Sequence, residues 1–180
     1  RSKYSIIHPK NETFLDHSKA IPEKERLKLL MSIREEVMTE KELVHLLNIP
    51  LKPRCYDGFE PSGRMHIAQG LMKTISVNKM IKADCEVIFW VADIFAMLNN
   101  KMGGDLNRIQ TVGLYMIEVW KACGMNVDQV QFMWASEEIF KTQKTAVTYW
   151  SLVMYVATKF SLTRLKRCIQ ILGRKEGDNN

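Results

Sequence analysis

The residues best equipped for chemistry lie in one run, Cys55-Tyr-Asp-Gly-Phe-Glu-Pro-Ser-Gly-Arg-Met-His-Ile-Ala-Gln-Gly70. It reads as a strand, then a Pro-Ser-Gly turn, then a helix opening at His66. A strand that feeds a helix through a glycine turn makes an anion site. The first N–H groups of the helix have no partner, and its dipole points at the same spot. The imidazole of His66 adds a movable donor. This combination suits a nucleoside triphosphate. His8, His17 and His45 have no comparable setting and read as ordinary polar histidines.

The flanking elements must hold that run in place. Residues 1–21 are polar and aperiodic and read as a tail or arm. Pro22 opens a helix whose Leu27, Leu30, Met31, Arg34 and Val37 recur at three- and four-residue steps. Thr39 and Glu42 form a capping box for a second helix, Glu40 to Leu47, with Leu43, Leu46 and Leu47 turned toward the domain. Residues 22–50 are thus an N-terminal helical appendage, and residues 51–180 belong to the main domain. There Arg54 to Phe59 is a first strand and His66 to Ala83 a helix. Cys85 to Ala92 is a second strand, apolar but for Glu86 and so expected to be buried on both faces. Asp105 caps a long helix to Ala122, with Ile109, Val112, Met116, Val119 and Trp120 on one stripe and Gly124 after its end. Val130 to Trp134 is a third strand. Helices follow at about Ser136 to Lys141, Val147 to Lys159 and Ser161 to Leu172. Alternating strands and helices predict an α/β fold, a doubly wound, Rossmann-like parallel sheet with right-handed crossovers. Its ligands belong beyond the carboxyl ends of the strands, where Gly58 to His66 and Asp93 fall.

Composition narrows the choices. A net charge of +6 and a pI of about 9.1 suit a polyanionic partner, but the charge is spread along the chain, so a generic basic surface explains it equally well. No apolar run approaches the roughly 18 residues of a membrane span, and the first residues hold no secretory apolar core. The four cysteines are far apart with no C-x-x-C, which reads as reduced, mostly buried thiols in a cytoplasmic protein and excludes a disulfide frame or a zinc site. The dinucleotide fingerprint G-x-G-x-x-G and the G-x-x-x-x-G-K-[ST] loop are both absent, which argues against a nicotinamide oxidoreductase and a P-loop ATPase.

Tyr56-Asp-Gly-Phe-Glu-Pro-Ser-Gly63 followed by His66-Ile-Ala-Gln69 resembles the first signature of tyrosyl-tRNA synthetases of the archaeal and eukaryotic cytosolic type, and is similar to the plant and protozoan branch. The tetrapeptide is a variant of the class I "HIGH" motif, with Ala68 in place of Gly and Gln69 in place of His. The likeness continues through Val91–Asn100, Gly103–Leu106, Glu118–Met125, Trp134–Glu138 and Arg167–Arg174. Ile94 departs from it, at a position where a Trp commonly stands.

The resemblance implies ATP-dependent attachment of tyrosine to tRNA-Tyr through a tyrosyl-adenylate, with ATP as substrate and Mg2+ accompanying it. It implies His66 and Gln69 as catalytic residues. Gly58, Phe59, Glu60, Ser62, Gly63, His66, Ala68 and Gln69 would bind ATP. Tyr56, Gly58, Glu60, Asp93 and Phe95 would bind tyrosine, with the Tyr56 hydroxyl meeting the substrate phenol. Each has a plainer reading beside it: Tyr56 as a strand-end tyrosine, Glu60 as a solvated carboxylate, Asp93 as a cap for the next helical turn. Gln69 keeps a donor but cannot carry charge. Arg164, Lys166, Arg167 and Arg174 form a basic set that suits tRNA, a homodimer interface or plain solvent. The K-M-S-K-S loop and anticodon-binding domain expected of the family do not occur before Asn180. The main domain is therefore expected to be the incomplete N-terminal part of a catalytic region, inactive alone. The alternative is a non-catalytic synthetase-derived fragment that serves as a binding module.

Overall fold

The computed structural model of the chain describes residues 21–33 and 39–171, with side chains through residue 168. The expectations for the N-terminal tail, for Arg34 and Val37, and for Leu172 onward, including Arg174, lie outside the described residues. The chain forms two compact units, residues 1–135 and 136–180.

In chain order the first unit holds α1 (Glu23–Met31), α2 (Glu40–Asn48), β1 (Arg54–Phe59), α3 (Ile67–Lys82), β2 (Glu86–Val91), α4 (Asp93–Leu98), α5 (Leu106–Ala122) and β3 (Val130–Trp134). The strands form a parallel sheet in the order β1-β2-β3, as the alternating pattern expects. Tyr56 stands opposite Ile88 and Ile88 opposite Gln131, while Phe89 stands opposite Phe132.

That register sorts the side chains onto two faces, because the strand period is two. Val87, Phe89, Val91, Val130, Phe132 and Trp134 join Val77 of α3 and Met116, Ile117 and Trp120 of α5 in the core. Four aromatic rings knit this face. Trp120 meets Phe59 at 4.9 Å and Phe89 at 5.4 Å between centroids, and Phe89 meets Phe132 at 5.6 Å, all edge to face, the arrangement ring quadrupoles favour. Gly113 of α5 exists to let this helix close on the sheet. A Cβ there would stand 2.6 Å from the Trp134 ring.

The opposite face is different. Tyr56 and Gly58 are exposed, and Glu86, Ile88 and Trp90 are half-buried. The expectation that β2 is buried on both faces is therefore corrected. Its apolar residues are all present, but only one face is closed by helices, and burial alternates along the strand.

The helix ends follow their residues. Asp105 accepts from the N–H groups of Asn107 and Arg108 at 2.9 and 3.2 Å and starts α5. Both long helices stop alike. After α3, Asp84 N–H donates to Ile81 O at 2.9 Å and Cys85 N–H to Met80 O at 3.0 Å. After α5, Gly124 N–H donates to Lys121 O and Met125 N–H to Trp120 O, each at 3.0 Å. These are paired Schellman bonds around a left-handed residue. Gly124 takes that conformation at φ 90°, and Asp84 takes it at 56°, with Lys52 held 2.6 Å from its carboxylate.

The N-terminal helices are latched by a residue that hydrophobic spacing misses. Arg26 is buried at 4% exposure. Its Nε donates to Ala83 O at 2.9 Å and its Nη1 to Leu47 O at 3.2 Å. One guanidinium thus ties α1 to the end of α2 and to the α3–β2 turn. Two smaller expectations are corrected. Leu46 is exposed, at 42%, while its neighbour Leu47 is buried. Thr39 donates to the Glu42 carboxylate instead of capping a backbone N–H.

The second unit continues α6 (Ala135–Phe140) into α7 (Gln143–Lys159) and α8 (Leu162–Ile171). α7 starts four residues earlier than its apolar pattern suggests, at a capping box in which Thr142 Oγ1 accepts from Thr145 N–H at 3.1 Å and Thr145 Oγ1 from Thr142 N–H at 3.0 Å. Its Val147, Trp150, Leu152, Met154 and Tyr155 are exposed. Arg164, Lys166 and Arg167 are exposed on α8.

Candidate functional site

The site begins where β1 ends. Tyr56 is 71% exposed, and its side chain leans along the strand over Gly58. Its hydroxyl lies 3.3 Å from the point where a Cβ on residue 58 would sit. Glycine at 58 is what leaves the phenol room. On the other face of the same strand, Asp57 pairs with Lys73 of α3. The Lys73 ammonium also lies 5.8 Å from the centre of the Phe89 ring. Successive residues of β1 therefore serve opposite sides of the sheet.

Beyond Phe59 the chain turns. Glu60 accepts from Asn99 Nδ2 at 3.4 and 3.5 Å. Pro61 is fully buried and anchors the turn. Gly63 adopts φ +149°, a backbone state side chains disfavour. His66 is extended at φ −74° and ψ 144°, occupies the N-cap of α3, and makes no side-chain capping bond. The first-turn N–H groups of α3 have no partner within the helix. Ser62, Arg64, His66 and Gln69 are exposed. An exposed polar turn thus leads directly into an uncapped helix start.

A cavity of about 460 Å³ opens beside this turn. Gly58, Phe59, Glu60, Ser62, Gly63 and Gln69 line it, together with Arg64, Met65, Met72, Lys73, Met116 and Trp120. The structure therefore gathers six of the eight residues expected to bind nucleotide. His66 and Ala68 sit at the adjoining helix start, outside the lining. Of the residues expected to bind tyrosine, Gly58 and Glu60 line the cavity, and Tyr56 lies on the opposite face of β1. Asp93 is fully buried. Its Oδ1 accepts from Ile94 N–H at 2.9 Å and its Oδ2 from Gln110 Nε2 at 3.3 Å, which fastens α4 to α5. Phe95 is 41% exposed on α4.

Sequence reasoning missed Arg64, Lys73 and Trp120 at the cavity. Met72 and Lys73 fall three and four residues after Gln69, on one helical face, so spacing alone could have added them. Trp120 was read as core, correctly, but its indole N–H has no partner among the described residues.

Cysteine chemistry lies nearby. The hydrogen bond between the Cys55 and Cys85 thiols holds Cys55 below the usual thiol range. The same bond, together with burial, pushes Cys85 up. Of the four free thiols only Cys85 is buried; Cys55 and Cys123 are half-buried and Cys168 is exposed. The expectation of mostly buried thiols is corrected, since Cys55 and Cys123 sit at the margin of the core and Cys168 on an open helix. Among the described residues no group of three His, Cys, Asp or Glu could hold a metal. No helix there is long and apolar enough to cross a membrane.

Residues 51–177 match the family of tRNA synthetases class I (W and Y). The chain is similar to the Arabidopsis thaliana cytoplasmic tyrosine–tRNA ligase 1, with 58% identity over 85% of this chain and 39% of that protein. It is similar to the Leishmania major tyrosyl-tRNA synthetase solved with tyrosinol, at 51% identity and a TM-score of 0.74, over 87% of this chain and 23% of that one. The Pyrococcus horikoshii tyrosyl-tRNA synthetase solved with L-tyrosine aligns at 31% identity and a TM-score of 0.67, over 89% and 43% of the two chains. The chain spans between a fifth and two fifths of the length of the first curated relatives it matches, 39% of one and 20% of the next.

Proposed function

The chain belongs to the class I tRNA synthetases of the tryptophan and tyrosine group, and on that premise we propose that it supplies the first half of the active site of a cytoplasmic tyrosine–tRNA ligase. ATP and tyrosine react to tyrosyl-adenylate and pyrophosphate, and the tyrosyl group passes to tRNA-Tyr. The single observation that carries this reading is the cavity at the end of β1, which brings Gly58, Phe59, Glu60, Ser62, Gly63 and Gln69 to the uncapped start of α3.

The chemistry asks for positioning and charge stabilisation. The tyrosine carboxylate attacks the α-phosphorus, and pyrophosphate leaves. Free N–H groups at the α3 N-terminus, the His66 imidazole and the Gln69 amide offer donors to the phosphate oxygens as charge develops there. Mg2+ arrives with the triphosphate. Gly58 and Gly63 let the nucleotide approach the backbone. Tyr56, on the open face, meets the substrate phenol, and a site that bonds that hydroxyl rejects phenylalanine strongly. Phe95 walls the amino-acid side. Asp93 acts by holding α4 in place, because its carboxylate is spent within the fold.

The apolar, exposed face of α7, with its shallow groove at Ala146, Val147, Trp150, Ser151 and Met154, supports homodimerisation. The basic residues of α8 suit tRNA.

The test is tyrosine-dependent ATP–pyrophosphate exchange. The full-length protein that carries this segment is expected to catalyse exchange with tyrosine and not with phenylalanine or tryptophan. The 180-residue chain alone is expected to show none. Absence of exchange in the full-length protein overturns the reading.

A further inference from the structure

Among the described residues, three charged side chains line the cavity: Glu60, Arg64 and Lys73. Two of them are engaged. Lys73 pairs with Asp57 and rests over the Phe89 ring. Glu60 accepts from Asn99. Arg64 has no hydrogen bond or ion pair among the described residues, and it is exposed. It is thus the one cavity cation with its charge uncommitted.

Its position is nevertheless constrained. Pro61 is buried three residues before it, and Gly63 holds the turn at φ +149°. Met65 follows it, half-buried, with its sulfur 3.2 Å from the Cβ position of Gly70 on α3. Arg64 therefore projects from a turn whose backbone is fixed on both sides.

The charge balance of the motif supplies the need. The fourth position of the helix-opening tetrapeptide is Gln69, an amide. It donates a hydrogen bond but carries no charge. His66 and the helix dipole remain, and the dipole amounts to about half a unit charge. A nucleoside triphosphate brings several negative charges into this cavity. Lys73 is already paired with Asp57, so its charge is partly neutralised before any ligand arrives. A guanidinium is always charged and presents paired donors that match phosphate oxygens.

We propose that Arg64 binds the polyphosphate of the nucleotide and supplies the positive charge that Gln69 lacks. The inference rests on the nucleotide reading given above and deepens it, by assigning to the turn a residue outside the tetrapeptide. Because Arg64 serves phosphate and Tyr56 lies on the other face of β1, its removal acts on ATP and leaves tyrosine untouched.

The experiment uses steady-state ATP–pyrophosphate exchange with the full-length protein, comparing wild type, Arg64→Ala, Arg64→Lys, Gln69→His and the double variant Arg64→Ala/Gln69→His. Arg64→Ala is expected to raise the KM for ATP about tenfold, the scale of one lost charge-assisted contact, with the tyrosine KM within about twofold of wild type. Arg64→Lys recovers part of the loss. Gln69→His restores a chargeable donor, so the cost of Arg64→Ala shrinks in its presence and grows with pH as that imidazole loses its proton. A melting temperature unchanged by Arg64→Ala excludes misfolding as the cause. If wild type exchanges pyrophosphate and Arg64→Ala leaves the ATP KM within about twofold, or raises both KM values together, the proposal is overturned while the ligase reading stands. If wild type shows no tyrosine-dependent exchange, the ligase reading fails and the proposal fails with it.

Discussion

The two faces of the sheet are built from the same three strands and do opposite things. One face is closed by α3 and α5 and holds Val87, Phe89 and Val91 at 1% exposure or less. The other presents Tyr56, Gly58, Ile88 and Trp90 and is only partly covered. Strand alternation makes this possible: neighbours one residue apart in β1 belong to different environments. Asp57 is tied to α3, while Tyr56 and Gly58 on either side of it are exposed. The difference teaches that packing and exposure are separated across the thickness of one strand, not along its length.

The contrast can be broken most forcefully at Trp120. Trp120→Ala removes the ring that joins Phe59 to Phe89, and is expected to destabilise the fold by about 3–5 kcal/mol in denaturant titration. Tyr56→Ala, on the open face, is expected to cost under about 1 kcal/mol. Equal losses at the two positions would mean that the faces do not differ as described. Gly113→Ala sharpens the same point from the helix side. A methyl 2.6 Å from Trp134 has no room, and overpacking of about 1–3 kcal/mol is expected in the same titration.

Tyr56→Phe separates function from folding. The melting temperature should stay put, while the full-length protein loses affinity for tyrosine by about threefold to tenfold, one hydrogen bond's worth. An unchanged tyrosine KM would remove Tyr56 from the site. The smallest effect is at Cys55. Its hydrogen bond to Cys85 favours the thiolate, so alkylation by iodoacetamide should begin at lower pH at Cys55 than at Cys85, whose proton is held more tightly. Mass spectrometry across a pH series reads the order directly.

Much of this was legible from residue order. β1 and β3 have the bounds that their composition suggested, and α3 and α5 begin and end beside His66, Ala83, Asp105 and Gly124, where caps and left-handed residues fall. Local signals of that kind act over a few residues and survive in any context. What was not legible depends on distant partners. Arg26 lies on a helix whose apolar spacing pointed elsewhere, and its burial follows from two carbonyls, at Leu47 and Ala83, that only the fold brings near. The openness of the Ile88–Trp90 face was hidden because the apolar run from Val87 to Val91 looks the same whether one face or two are covered. α4 was legible only as a helical turn after Asp93, because six residues are too few to show a period. At the site, the turn from Gly58 to Gln69 could be read directly, since its residues are consecutive. Trp120 and Met116 could not, because they come from a helix some fifty residues further on.

Gly58 has a consequence for how this strand can change over generations. The space above it is occupied by the hydroxyl of Tyr56, so the two positions are not independent in their freedom to vary. Tyr56 can lose its oxygen and leave residue 58 undisturbed. A methyl group at residue 58 would stand 3.3 Å from that oxygen, so the exposed phenol would shift by a few tenths of an ångström to admit it. The order of substitution therefore matters. A lineage that gave up the hydroxyl first fills position 58 with no such shift, whereas one that filled it first displaces the phenol from its place over the strand.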